Sequence, residues 1–274
     1  MLKAIVYSVL ILTNTLVLSN VAIAQDIIKL GVVPQQSASS LAKNWIPLTA
    51  YLSEKTGKNV RFTTAPNIPE FEKRIAEGMY DLVYMNPYHY TVFSQSIGMR
   101  AIAKQKNKRI HGIIVVQKDS PLTDLDMLKN AEIAFPAPAA FAATILPQAN
   151  LTLRNIPFKS QYVSSHDSVY AGVAKGLFVA GGGIDRTLST LPEAQANQLK
   201  VIWRSDGYTP HAFAASAALD HELTNQIQDA LVALINDKEN QAILFNLGFK
   251  HGLIKATDSD WDDIRSLNID LIKP

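Results

Sequence analysis

The chain has 274 residues, 47% of them hydrophobic and 18% charged, which suits a folded globular protein and excludes a disordered one. It has no cysteine, so disulfides, iron–sulfur ligation and thiolate catalysis are excluded. The formal charge is only +2, too little for a broad nucleic-acid surface. The one dense basic patch is KQKNKR, Lys104 to Arg109, which reads as a solvated turn or, alternatively, an anion or nucleic-acid site.

In chain order, Lys3 opens an apolar stretch from Ala4 to Leu18, and Ala22-Ile23-Ala24 fits the small-x-small cleavage rule. Residues 1–25 are therefore expected to be a signal peptide, with a periplasmic protein starting near Gln25 or Asp26. A retained membrane anchor is the alternative; no cysteine follows, so a lipid anchor is excluded. An exported chain without disulfides needs a substantial apolar core.

Ile27 to Val33 predicts a strand and Leu41 to Lys55 a helix, capped by the preceding serines, bent at Pro47 and stopped by Gly57. Strands follow at Val60–Thr64, Asp81–Met85 and Ile110–Gln117, with helices at Pro69–Ala76 and His89–Gln95 between them. The second block gives a helical turn at Asp124–Leu128 and strands at Ala131–Phe135, Phe158–Val163, Leu177–Ala180 and Leu199–Trp203. Helices are expected at Ala139–Ala149, Ser168–Gly176 and Ile184–Leu191, then at Asp220–Asp237 and Lys238–Leu247.

This alternation implies an α/β fold with mainly parallel sheets. Two such blocks and a helical return predict two lobes around a hinged cleft. Residues 26–117 would form the first part of lobe 1, residues 118–205 lobe 2, and residues 206–274 the return to lobe 1 with its C-terminal helices. One compact doubly wound domain is the alternative.

Ligands collect beyond the carboxyl ends of strands in such sheets. Asn86-Pro87-Tyr88-His89-Tyr90 offers an amide, an imidazole and two phenols, suited to an organic ligand or to packing and capping a helix. Pro136 to Phe141 leads into a helix N-terminus whose free N–H groups favour an anion, although its side chains are apolar. In Ser164 to Ser168, His166 is a candidate ligand donor, and Ser165 or Asp167 a helix cap. Ser, His and Asp adjacent in sequence do not form a nucleophilic triad. Gly181-Gly182-Gly183 reads as a strand break able to form an anion nest, with Arg186 as its cation or the partner of an Asp. His211, near the second crossover, is a candidate cleft residue, or else a surface or hinge histidine. Neither metal spacing among the histidines nor a carboxylate pair for acid–base work stands out, so no metal, cofactor or enzymatic activity is expected.

Several segments, in order, resemble the periplasmic phosphate/phosphite/phosphonate-binding proteins of ABC transporters, the PhnD-like branch with the type 2 periplasmic-binding fold. They are WIPLTAYLSEKTGK, EGMYDLVYMNPYHY, HGIIVVQKDSPLTDLDMLKNAEIAFPAPAAFAATILPQ, SSHDSVYAGVAKGLFVAGGG and YTPHAF. The resemblance implies two α/β lobes that close on a small ligand, and a membrane permease as partner. It matches His166 to a family ligand histidine and sets Met85 where some members present a tyrosine. Ala139-Ala140-Phe141 stands where the family usually has a hydroxyl-rich run, and the His211 region where members carry an acidic residue. These departures favour a ligand of smaller charge or partly aromatic character.

The expected function is therefore that of a monomeric solute-binding protein. It captures a small organic or phosphorus-oxyanion ligand through Tyr84, Asn86, Tyr88, His89, Ala139, Ala140, Phe141, Ser165, His166, Gly182, Arg186 and His211. A ligand sensor for a membrane signalling receptor is the alternative.

Overall fold

The computed structural model describes residues 27–272. The expected signal peptide lies outside the described residues. None of the helices in the described part is long and apolar enough to cross a membrane.

Two sheets form the two lobes. The first has the order β11-β4-β10-β3-β1-β2. Its strands are β1 (Ile27–Val32), β2 (Asn59–Thr63), β3 (Leu82–Met85), β4 (Arg100–Gln105), β10 (Ala212–Ala215) and β11 (Leu253–Lys255). The second has the order β7-β6-β8-β5-β9. It contains β5 (Gly112–Gln117), β6 (Glu132–Phe135), β7 (Lys159–Tyr162), β8 (Ala180–Ile184) and β9 (Leu199–Arg204). Both sheets are mixed, which corrects the mainly parallel expectation. β1 pairs parallel with β2 and β3, and β6 with β7 and β8. β10 and β11 in one sheet, and β5 in the other, add antiparallel ladders.

The first lobe carries α1 (Ala38–Thr56), α2 (Ile68–Ala76) and α3 (Pro87–Ser96), and the second α4 (Leu146–Leu153), α5 (His166–Ala174), α6 (Asp185–Ser189) and α7 (Glu193–Ala196). The return supplies α8 (His221–Ala233), α9 (Ala242–Asn246) and α10 (Asp262–Arg265). Local sequence explains the helix starts. The side chains of Ser37, Asn67, Asn86 and Ser165 accept backbone N–H groups at the openings of α1, α2, α3 and α5. Gly57 ends α1 at φ 65°, where a Cβ is disfavoured, and donates to the Ser53 carbonyl at 2.9 Å. The helix expected over Asp220–Asp237 tightens into a 3₁₀ turn at Leu234–Asn236.

Trp45 on the inner face of α1 anchors the first core. Its ring lies 4.7 Å from that of Tyr84 and 6.1 Å from that of Phe249. Burying each such side chain contributes roughly 1.5–3 kcal/mol. The second sheet has cores on both faces, one around Phe135 and Leu151 and one around Val169 and Tyr170.

Three expectations change here. Strand β5 belongs to the second sheet, so the first crossover precedes Gly112 and the lobe boundary expected at Gln117 is displaced. The second crossover joins β9 to β10. Gly181, Gly182 and Gly183 do not break a strand but form its middle, all buried. A Cβ on Gly182 would collide with the Ala143 carbonyl oxygen and come within 2.6 Å of the Phe135 ring. Finally, the helix expected from Ala139 begins as a π-helical turn, Phe141–Ile145, before α4.

The two crossover segments pair with each other. Ile110 and Tyr208 exchange backbone hydrogen bonds of 2.8 and 2.9 Å. This short antiparallel bridge ties the two crossovers together between the lobes.

Candidate ligand-binding site

The cleft is closed by hydrogen bonds from the segments after β1 and β3 to the second lobe. The N–H of His166 donates to the Gln35 carbonyl at 3.0 Å, and the N–H of Ser37 to Asp167 Oδ2 at 3.0 Å. Gln36 Nε2 donates to Thr190 Oγ1 at 2.9 Å, and Asn86 Nδ2 to the Ala139 carbonyl at 3.1 Å. Arg186 donates to Gln35 Oε1. Two adjoining cavities remain, with free volumes of about 10 and 20 Å³. Each has room for about one water, as expected of a cleft shut on itself.

The inner cavity is walled by Gln35, Asn86, Ala140, Phe141, Ala142, Ala143, His166 and His211, among others. The π-helical turn presents its opening here. Its first carbonyl acceptor, that of Ala140, is used by Thr144 and Ile145. The N–H groups of Phe141, Ala142 and Ala143 therefore have no acceptor within the helix. No side chain caps this end.

His166 stands opposite on α5, fully buried. Its Nδ1 lies 3.2 Å from Thr187 Oγ1, while its Nε2 has no hydrogen-bond partner. Burial, with a smaller contribution from the Arg186 charge, pulls its pKa down to about 3, so the ring is neutral at pH 7. Tyr170 Oη and Thr187 Oγ1 lie 3.0 and 3.1 Å from the same Ile184 carbonyl and 2.9 Å from each other; when Tyr170 takes that carbonyl, the Thr187 proton can turn to Nδ1 instead. In that arrangement Nε2 carries the proton and is a donor to the cavity.

His211 stacks on Tyr84 with ring centroids 5.1 Å apart and lies 3.1 Å from Gln35 Nε2. Burial also holds its pKa well below the ordinary histidine value, with Arg186 as the next cause. Arg186 spreads its guanidinium over Tyr84 at 5.8 Å. Burial raises the Tyr84 pKa, so the phenol is neutral.

The expected site residues thus divide. Tyr84, Asn86, Ala140, Phe141, His166, Arg186 and His211 line the two cavities, and Ala139 borders them through its bond to Asn86. Tyr88 does not: its hydroxyl accepts the N–H groups of Leu271 and Ile272 at 2.7 and 3.0 Å. His89 turns to Glu72, 2.9 Å away, and packs between Phe71 and Phe93. Ser165 caps α5, and Gly182 is covered by Phe135 and the Ala143 carbonyl. Gln35 and Ile110 were not foreseen, and Lys108 comes from the Lys104–Arg109 run whose first reading was a solvated turn. The rule about strand ends, applied to the loop after β1, would have found Gln35.

The family model described as "ABC transporter, phosphonate, periplasmic substrate-binding protein" matches residues 30–261. The chain belongs to this family. Among curated proteins, the phosphate-import protein PhnD of Mycolicibacterium smegmatis is 23% identical over 88% of this chain and 84% of its own length. Among solved structures, a binding protein component of an ABC phosphonate transporter from Pseudomonas aeruginosa superposes with a TM-score of 0.82. It is 18% identical and covers 89% of this chain and 86% of its own. PhnD1 from Prochlorococcus marinus, in complex with methylphosphonate, superposes at 0.81 with 21% identity over 88% of this chain and 98% of its own. Both superpositions show the two-lobed fold of a periplasmic binding protein.

Membership of the phosphonate-binding family makes this chain the substrate-binding component of an ABC importer, with a small molecule as ligand and a membrane permease as partner. Within that frame, Ala139-Ala140-Phe141 puts no hydroxyl on the cavity wall, so the helix opening offers backbone donors alone.

Proposed function

We propose that the inner cavity, opened by hinge motion, takes the oxyanion of phosphate or a short-chain phosphonate, and that the closed form is the one presented to the permease. One observation carries this reading: the unpartnered Nε2 of buried His166 shares a cavity with Phe141, Ala142 and Ala143, whose N–H groups have no acceptor within the helix. A fully buried imidazole nitrogen without a partner is costly, and an anion oxygen removes that cost while pairing the helix N-terminus. Arg186 supplies the positive charge. Phe141, Ile68 and Ile110 on the same wall leave apolar space for a small alkyl group rather than a polar head. Closure follows if the anion bridges donors on both lobes, because ligand shifts the open–closed equilibrium only by its preference for one form. We further infer that residues 1–25 direct export and are removed.

The test is calorimetric titration of protein refolded free of bound solute with phosphate, methylphosphonate and sulfate. Saturable binding of a phosphorus oxyanion, weakened at least about tenfold by His166→Ala, supports the assignment. Binding that His166→Ala leaves unchanged, or the absence of any phosphorus ligand, refutes it.

A further inference from the structure

The outer cavity adjoins the inner one across Ile110, Ile184 and His211, and its charge is distinctive. Gln105, Lys108, Arg109, His111, Asp185 and Arg186 all contribute to its wall. Asp185, the sole carboxylate on that wall, is paired with Arg204. Arg109 is held by Asp263 at 2.9 Å and by the Gly207 carbonyl. Two cations have no carboxylate partner among the described residues. Lys108 makes no ion pair or hydrogen bond there, and Arg186 donates only to the Gln35 amide oxygen. The Arg186 guanidinium therefore reaches the wall of the inner cavity while facing the outer one.

We propose that the outer cavity receives a second anionic group of the ligand. The preferred ligand class is then a phosphorus oxyanion carrying a carboxylate within a few bonds of phosphorus. This rests on the assignment of the inner cavity to the phosphorus group. A tail amine meets the charges of Lys108 and Arg186 with no free carboxylate to offset them, so aminoalkyl phosphonates are rejected. The basic run Lys104 to Arg109 gains a role here. It brings Lys108, which has no carboxylate partner among the described residues, to the mouth of the cleft beside the hinge residue Ile110, with Arg109 next to it.

The experiment compares methylphosphonate, phosphonoacetate and 2-aminoethylphosphonate by calorimetric titration of the wild type and Lys108→Glu. Lys108 is exposed, and circular dichroism checks that the variant folds. The wild type is expected to bind phosphonoacetate at least about fivefold tighter than methylphosphonate, and 2-aminoethylphosphonate more weakly than either. Lys108→Glu is expected to lower the phosphonoacetate-to-methylphosphonate affinity ratio by about tenfold and to raise the relative standing of 2-aminoethylphosphonate. Methylphosphonate binding as tightly as phosphonoacetate overturns this inference and leaves the inner-cavity assignment standing. A ratio unmoved by Lys108→Glu does the same. Failure of all three ligands overturns both.

Discussion

His166 ties the site to the stability of the fold, and replacing it with glutamine tests that link. Its pKa is about 3 in the folded protein, against 6.5 ordinarily. The folded-state value is depressed, so the unfolded chain binds the proton more readily. Stability is full above pH 6.5 and is lost as pH falls towards 3. At pH 5 the unfolded state gains RT ln(1 + 10^1.5), about 2 kcal/mol, from this one ring. His211 shifts in the same direction and adds to the loss in both proteins. Glutamine keeps a polar group at the site but does not titrate. Urea unfolding at pH 8, 7, 6 and 5 should therefore show the wild type losing about 2 kcal/mol more than His166→Gln between pH 8 and pH 5. An anion bound at Nε2 raises the His166 pKa, so saturating phosphate should shrink the difference. Equal losses in the two proteins, with equal denaturant slopes, would refute the claim that His166 is buried and neutral.

Gly182→Ala is expected to destabilise the protein by more than about 3 kcal/mol, because its Cβ meets backbone and the Phe135 ring rather than a flexible chain end. Thermal unfolding would show this, and a loss below about 1 kcal/mol would contradict it. Asp167→Ala removes the acceptor of the Ser37 N–H across the cleft. Small-angle scattering should then show a larger radius of gyration without ligand, and affinity should fall by about fivefold. Tyr88→Phe removes the hydroxyl that holds Leu271 and Ile272. Hydrogen exchange should quicken at those two amides while affinity for phosphate stays unchanged; weakened binding would return Tyr88 to the cleft.

Much of this protein was legible because its causes are local. Ser37, Asn86 and Ser165 start their helices through hydrogen bonds spanning three residues, and Gly57 stops one by its own φ, so the sequence suffices there. The order of the motifs implied the two-lobed fold, and the family match over residues 30–261 agrees with it. Other features depend on partners far along the chain. Strand β10 is Ala212-Phe213-Ala214-Ala215, with little strand preference of its own. It exists because β3 and β4 flank it on both sides. Gly181 to Gly183 look like a break in isolation. Only the approach of Val169, Tyr170, Phe135 and Ala143 explains why that strand must lack side chains.

The site divides in the same way. Sequence placed Tyr84, Asn86, His166 and Arg186 at strand ends and helix starts, and those positions line the closed cleft. It did not fix which way α3 faces. Packing against Glu72 and the C-terminal tail turns His89 and Tyr88 aside. Gln35 and Lys108 enter the site because closure and the hinge bring them there, from 151 and 78 positions before Arg186. Chain connectivity sets hydrogen bonds across a few residues, whereas burial and charge pairing are properties of the folded whole. Helix starts and motif order are thus readable from neighbouring residues, whereas which polar groups face one another follows only from the folded chain.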